Sequence, residues 1–291
     1  MEQTWKLKKQ TAFHLKDIFE CGQCFRWNQI DNSTYVGVVK HNVIQVKEQN
    51  DTIFFRGVGQ EDLKQLVVNY FDLNTDYDEL KKQLSKVDDN LKKSTIYGKG
   101  IRLLNQPLWE TIVSFILSAN NNIPRIKGMI DRLCRAYGNQ IEWEAKTYYT
   151  FPTKEQLKDV TVEQYRALGF GFRDKRVYET VALVLEGKIN LSNWYQKPTQ
   201  EVRKELLTLS GVGPKVADCI LLFSDLKRLD VFPIDVWVRR VMNELYIGQK
   251  EEEKVSKETI NRLAEEKFGS LKGLAQQYLF YWRRDDEKKQ A

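Results

Sequence analysis

Residues 33–57, STYVGVVKHNVIQVKEQNDTIFFRG, form three runs of β-branched and aromatic residues broken at His41-Asn42 and Asn50-Asp51. That alternation predicts an antiparallel meander. The next stretch, EDLKQLVVNYFDL, places Leu63, Leu66, Val67, Tyr70 and Phe71 at helical spacing. YDELKKQLSKVDDNLKKS is charged throughout and reads as a solvated helix with a connector. From Gly100 onward the pattern turns helical. PLWETIVSFILSANN is apolar on most faces, as a buried helix is. IPRIKGMIDRLCRAYG starts near a proline and stops at Gly138. RDKRVYETVALVLEG, TQEVRKELLTLS, PKVADCILLFS, DVWVRRVMNELY, SKETINRLAEEKFG and GLAQQYLFYWRRDD continue the series. The expected architecture is α+β and mainly α. A small antiparallel-sheet domain with a flanking helix (1–95) packs on a larger all-helical domain (96–291).

Composition narrows the class. At 291 residues, 42% of them hydrophobic, the chain has ample core material, and its net charge of +6 leans mildly toward polyanions. Its four cysteines, Cys21, Cys24, Cys134 and Cys219, are too scattered for a disulfide framework. Cys21-Gly-Gln-Cys24 has no second pair or histidine cluster to make a zinc site. No apolar signal core or membrane-spanning run is evident, so a reduced intracellular compartment is expected.

The chemistry concentrates in EVRKELLTLSGVGPKVADCILL, a helix, a Gly-rich hairpin and a second helix over about 201–223. Gly211 and Gly213 suit a tight turn with positive φ, and Pro214 suits the first helical position. Such a hairpin presents backbone N–H groups to a phosphate. Lys215 then falls at the positive end of the second helix, where an ammonium is disfavoured; a lowered pKa is expected there. A partly neutral amine is what a Schiff-base nucleophile needs. Asp235 follows twenty residues later at the apparent start of another helix, where it can act as an N-cap.

LSGVGPKVADC…VFPIDVWV, with its Gly-Pro-Asp loop over 211–235, resembles the helix-hairpin-helix (HhH-GPD) DNA glycosylases, in the branch with a lysine nucleophile. GQCFRW, SANNNIPRIKGMIDRLC and AQQYLF, in that order along the chain, are similar to the 8-oxoguanine DNA glycosylase/AP lyases.

This resemblance implies that Lys215 attacks the sugar C1′ while Asp235 stabilises developing positive charge and assists proton movements. It implies that Gly22 reads the N7 hydrogen that only the oxidised base carries. Cys219 and Phe280 would sandwich the extruded base, and Gln276 would read its Watson–Crick edge, with Gln277 as the other candidate. Asn120 would fill the vacated space, Arg125 and Arg173 would read the orphaned cytosine, and Phe172 would wedge into the stack. Two positions depart from the family. Phe172 stands where a tyrosine is expected, and Trp237 stands where a histidine near a phosphate is usual.

The partner implied is duplex DNA containing 8-oxoguanine, processed by a monomer without a membrane, in a cytoplasmic/nucleoid or nuclear setting. No cofactor is required. A potassium or sodium ion on hairpin carbonyls is compatible with the turn, and FYWRRDDEKKQA lacks the cysteines of an iron–sulfur cluster. Two other readings stay open: a non-catalytic helix-hairpin-helix DNA-binding protein, and a lysine-nucleophile glycosylase for a different oxidised base.

Overall fold

The computed structural model describes residues 1–251 and 254–290, without the side chains of 285–290. The meander is present as β3 (Thr34–Val39), β4 (Asn42–Gln49) and β5 (Thr52–Gly59). It is flanked by β1 (Gln3–Lys8) and β2 (Trp27–Asp31) in a five-stranded antiparallel sheet of order β1-β5-β4-β3-β2. The first strand pairs with the last, Trp5 opposite Phe55, so the N-terminus closes the far edge. QTWKLK alternates half-buried and exposed residues, a period-two signal too short to stand out alone. Between β1 and β2 lies a short helix, α1 (Leu15–Phe19). Phe13, Trp27, Val46, Phe55 and Phe71 fill the core between the sheet and α2 (Leu63–Tyr70).

The charged segment that follows forms two helices, α3 (Tyr77–Ser85) and α4 (Asp89–Tyr97), N-capped by Asp76 and Asp88. Beyond them come α5 (Leu108–Ser118) and α6 (Ile123–Tyr137), the latter ending at Gly138. The larger part of the chain is not all-helical. A hairpin of β6 (Gln140–Trp143) and β7 (Lys146–Tyr149) interrupts it, turning through Glu144 and Ala145, both at positive φ. Neither residue is a usual occupant of such a turn, so the sequence carries no Asn-Gly or Asp-Gly signal there. Trp143 packs on Val36, Val38 and Val43, covering the second face of the sheet. That cover explains why β3 is buried at every position rather than alternating.

The helical body continues with α7 (Val162–Ala167), α8 (Asp174–Leu185), α9 (Thr199–Leu206), α10 (Pro214–Phe223), α11 (Val236–Met242), α12 (Lys257–Phe268) and α13 (Lys272–Gln290). Its core also takes in Ala12, Cys21 and Phe25 from the N-terminal part. The loop after α1 is thereby fixed to the helical body. No helix among the described residues is long and apolar enough to cross a membrane.

Candidate active site

The hairpin between α9 and α10 carries the lysine. Gly211 adopts φ +79, and a Cβ there would stand 2.3 Å from the Arg176 side chain, so glycine is required twice over. Gly213 departs from expectation: it is extended, at φ −87 and ψ 179, and serves as N-cap of α10. A Cβ at 213 would meet only open space, with no atom within 4 Å, so nothing inside the protein demands glycine there. Pro214 opens α10 and Lys215 is its second residue.

Lys215 points inward. Its Nζ lies 5.8 Å from the centre of the Phe115 ring, and the Cys219 sulfur, one turn further along α10, is near enough to act on its charge. Its pKa is raised rather than lowered. Negative charge on the Cys219 sulfur has the largest influence and Asp235 adds to it, while burial opposes both. The Cys219 thiol is itself pushed up to about 11, chiefly by burial. Both neighbours reach Lys215 only in the folded chain, so the field of the helix end alone does not set its pKa. Asp235 caps α11, its Oδ1 accepting from the Val238 N–H at 2.8 Å.

A second cluster lies where the loop after α1 meets α13. Gly22 has φ +89, and its Cβ position would be 3.7 Å from Phe280. Gln276 is buried and its Oε1 has no hydrogen-bond partner. Gln277 is engaged instead, its Nε2 donating to the Cys21 carbonyl at 2.6 Å. The two glutamines are thus told apart: one holds the loop, the other keeps an unused amide oxygen. Cys21 and Cys24 are buried thiols bonded to the Ile18 and Phe19 carbonyls, at 3.3 and 3.9 Å.

The three asparagines divide their work. Asn121 Nδ2 donates to the Leu117 carbonyl at 3.0 Å, tying the turn to α5. Asn122 caps α6 by accepting from the Arg125 N–H at 3.0 Å. Asn120 is left exposed at φ +51. Arg125 is exposed as well. Arg173 is not: it is buried, donating through Nε to Ala119 O at 2.9 Å and through Nη2 to Asn120 O at 2.8 Å. Desolvation, with the charges of Arg125 and Arg176, lowers its pKa. Phe172 is 54% exposed, with Arg173 and Arg176 at 4.2 and 4.8 Å from its ring centre. Arg176, which the sequence reading passed over, joins this ring to Gly211; no local pattern marks that contact. Trp237 is half-buried, its Nε1 unpartnered and Arg240 5.4 Å above its ring.

Among the described residues, no group of three or more His, Cys, Asp or Glu could hold a metal ion. A cavity of about 670 Å³ between β3, α6 and the β6–β7 hairpin is lined by none of the candidate catalytic, base-reading or DNA-facing residues.

Comparison with known proteins gives this geometry a family. Residues 6–112 match the 8-oxoguanine DNA glycosylase N-terminal domain, and residues 113–267 match the HhH-GPD superfamily of base excision DNA repair proteins. The chain belongs to the 8-oxoguanine DNA glycosylase family. Its enzyme class is N-glycosylase/DNA lyase. It is 34% identical over 257 residues to an N-glycosylase/DNA lyase of Saccharomyces cerevisiae, covering 80% of this chain and 68% of the relative. Among solved structures of the family, MBOgg1 in complex with a low-affinity DNA ligand superposes with a TM-score of 0.92 at 42% identity, covering 98% of this chain and 96% of that one. An 8-oxoguanine glycosylase/lyase of Clostridium acetobutylicum, bound to double-stranded DNA with cytosine opposite 8-oxoguanine, superposes with a TM-score of 0.91 at 40% identity, covering 99% and 98%.

Proposed function

We propose that this chain excises 8-oxoguanine from duplex DNA through a Schiff base on Lys215 and then cuts the strand by β-elimination. The observation that carries the reading is the placement of Lys215 Nζ, half-buried at the mouth of α10 beside Cys219 and under the charge of Asp235. Such an amine is shielded from bulk water yet lies next to the exposed edge of the hairpin, where a DNA backbone can approach Gly213.

Lys215 first gives up a proton, with Asp235 as the carboxylate placed to relay it. The free amine attacks C1′ and the bond from C1′ to the base breaks. The base leaves with a proton, and the opened sugar becomes an iminium on Nζ. Loss of a C2′ proton then expels the 3′ phosphate. Asp235, held by its cap bond, stabilises positive charge on the sugar as the base departs.

Recognition follows the same placements. Gly22 offers its carbonyl to the N7 hydrogen, where guanine would present a repelling lone pair. Phe280 and Cys219 bracket the base, and the unused Gln276 Oε1 meets a donor on its Watson–Crick edge. Asn120 and Arg125 face the orphaned cytosine, with Arg173 supporting the turn from behind until DNA draws it out. Phe172 enters the stack. The reading requires no metal or cofactor, and a monomer suffices.

Borohydride added during incubation with a duplex carrying 8-oxoguanine opposite cytosine tests this directly. A covalent adduct at Lys215 is the expected result. Firm DNA binding without an adduct would establish the non-catalytic alternative, and an adduct with some other lesion alone would reassign the substrate.

A further inference from the structure

We infer that Arg284, on the last turns of α13, is a positioning residue that fixes the lesion-reading loop and so sets discrimination between the oxidised base and guanine. The inference rests on the proposed reading by Gly22. Arg284 Nη2 donates to the Glu20 carbonyl at 2.8 Å. Its guanidinium lies 5.5 Å from the Phe280 ring centre and 5.3 Å from that of Tyr281. Its Nη1 stands 3.9 Å from where a Cβ on Gly22 would be. One cation therefore touches the carbonyl before the loop, the loop glycine and the aromatic wall of the proposed pocket.

The pattern of anchors gives this contact its meaning. Gln277, seven residues earlier and so on the same helical face, takes the Cys21 carbonyl. Two successive carbonyls, of Glu20 and Cys21, are thus held by α13, and the next peptide belongs to Gly22. A glycine at positive φ has little stiffness of its own, so these outside bonds determine where its carbonyl points. Glu20 is also the C-cap of α1, where a cation is favourably placed. Reading N7–H against a lone pair depends on an oxygen held within a few tenths of an ångström, because hydrogen-bond attraction and lone-pair repulsion both fade with distance. Arginine suits the task, since it can bond a carbonyl and stack on a ring at once.

The test compares two reactions of the same lysine. Excision of 8-oxoguanine needs the base read, whereas β-elimination at a preformed abasic site has no base to read. Under single-turnover conditions, Arg284→Leu is expected to slow excision about tenfold or more and to leave abasic-site cleavage within about twofold. In a Lys215→Gln background, the same change should lower the binding preference for 8-oxoguanine over guanine, each opposite cytosine, by about fivefold. Unchanged excision, or an equal fall in both reactions, overturns the inference. If Arg284→Leu does not fold, Arg284→Lys, which keeps the charge but not the fork or the stack, decides by the same two assays. It should show excision slowed several-fold with abasic-site cleavage intact. The proposed function fails separately, if the unsubstituted protein forms no borohydride adduct with 8-oxoguanine DNA.

Discussion

The two ends of α10 each have a half-buried lysine under the charge of a carboxylate, and they behave oppositely. Lys215 is the second residue of the helix, and its pKa is raised by the Cys219 sulfur and by Asp235. Lys227 lies just beyond the other end, at φ +47, donating to Asp72 Oδ2 at 2.6 Å and to the Leu103 carbonyl at 2.7 Å. Burial pushes the Lys227 pKa down to about 8. Judged by the ease of losing a proton, Lys227 would be the better nucleophile. Its position argues otherwise, since Asp72 and Leu103 hold it as a strut between α2 and the helical body. A perturbed pKa marks burial and neighbours, and only the surroundings show whether a reacting atom can come near.

The largest effect that would sharpen this contrast is Lys215→Gln. It should lower base release and strand cleavage by more than about a thousandfold and abolish the borohydride adduct, while lesion DNA still binds in a gel-shift assay. Lys227→Met should form the adduct normally. An adduct that survives loss of Lys215 and disappears with loss of Lys227 would reverse the assignment.

Asp235→Asn comes next. Asparagine caps helices about as well as aspartate, so the melting temperature should hardly move while single-turnover excision falls by about two orders of magnitude. Asp235→Ala should lose the chemistry and about 1 kcal/mol of stability as well. Wild-type rates in Asp235→Asn would leave capping as its whole role.

The raised Lys215 pKa gives a sign for the rate. Because the ammonium is favoured in the free enzyme, the reactive amine is a minor species at neutral pH. Adduct formation on preformed abasic DNA should therefore climb by up to about tenfold per pH unit from 7 toward 9. A flat profile would mean that DNA binding itself strips the proton from the lysine.

On the opposite strand, Asn120→Ala combined with Arg125→Ala should reduce the preference for a lesion opposite cytosine over one opposite adenine by about tenfold, measured as a ratio of single-turnover rates. If the ratio is unchanged, these exposed side chains do not read the partner base.

An effect on stability rather than on rate concerns the strut. The folded pKa of Lys227 lies below its unfolded value, so the unfolded chain binds the extra proton between about pH 8 and 10.5. Stability should rise with pH across that window, by at most about 3 kcal/mol, and the rise should be missing in Lys227→Met. Melting curves of both proteins over the window measure the difference.

The corrections to the sequence reading share a cause. The β6–β7 hairpin went unseen because its turn is built from Glu144 and Ala145, which tertiary packing of Trp143 holds at positive φ. Gly213 was expected in the left-handed region because glycine permits it, yet the extended cap geometry of α10 decides the angle. A helix end by itself favours an acidified Lys215, yet its pKa is raised, by the Cys219 sulfur one turn along and by the Asp235 carboxylate at the cap of α11. Arg173 carries no local sign that its guanidinium turns inward onto the Ala119 and Asn120 carbonyls.

What the sequence determined by itself is what local chemistry can specify. The meander strands, the hairpin with Pro214 opening α10, the cap at Asp235 and the break at the three asparagines each follow from backbone preferences within a few residues. Tertiary structure alone decided which of the two adjacent glutamines is spent, which arginine is buried, and which of two half-buried lysines faces an approachable edge. Those outcomes depend on groups distant in sequence, and charge, desolvation and hydrogen-bond supply at a point in space are set by all of them together.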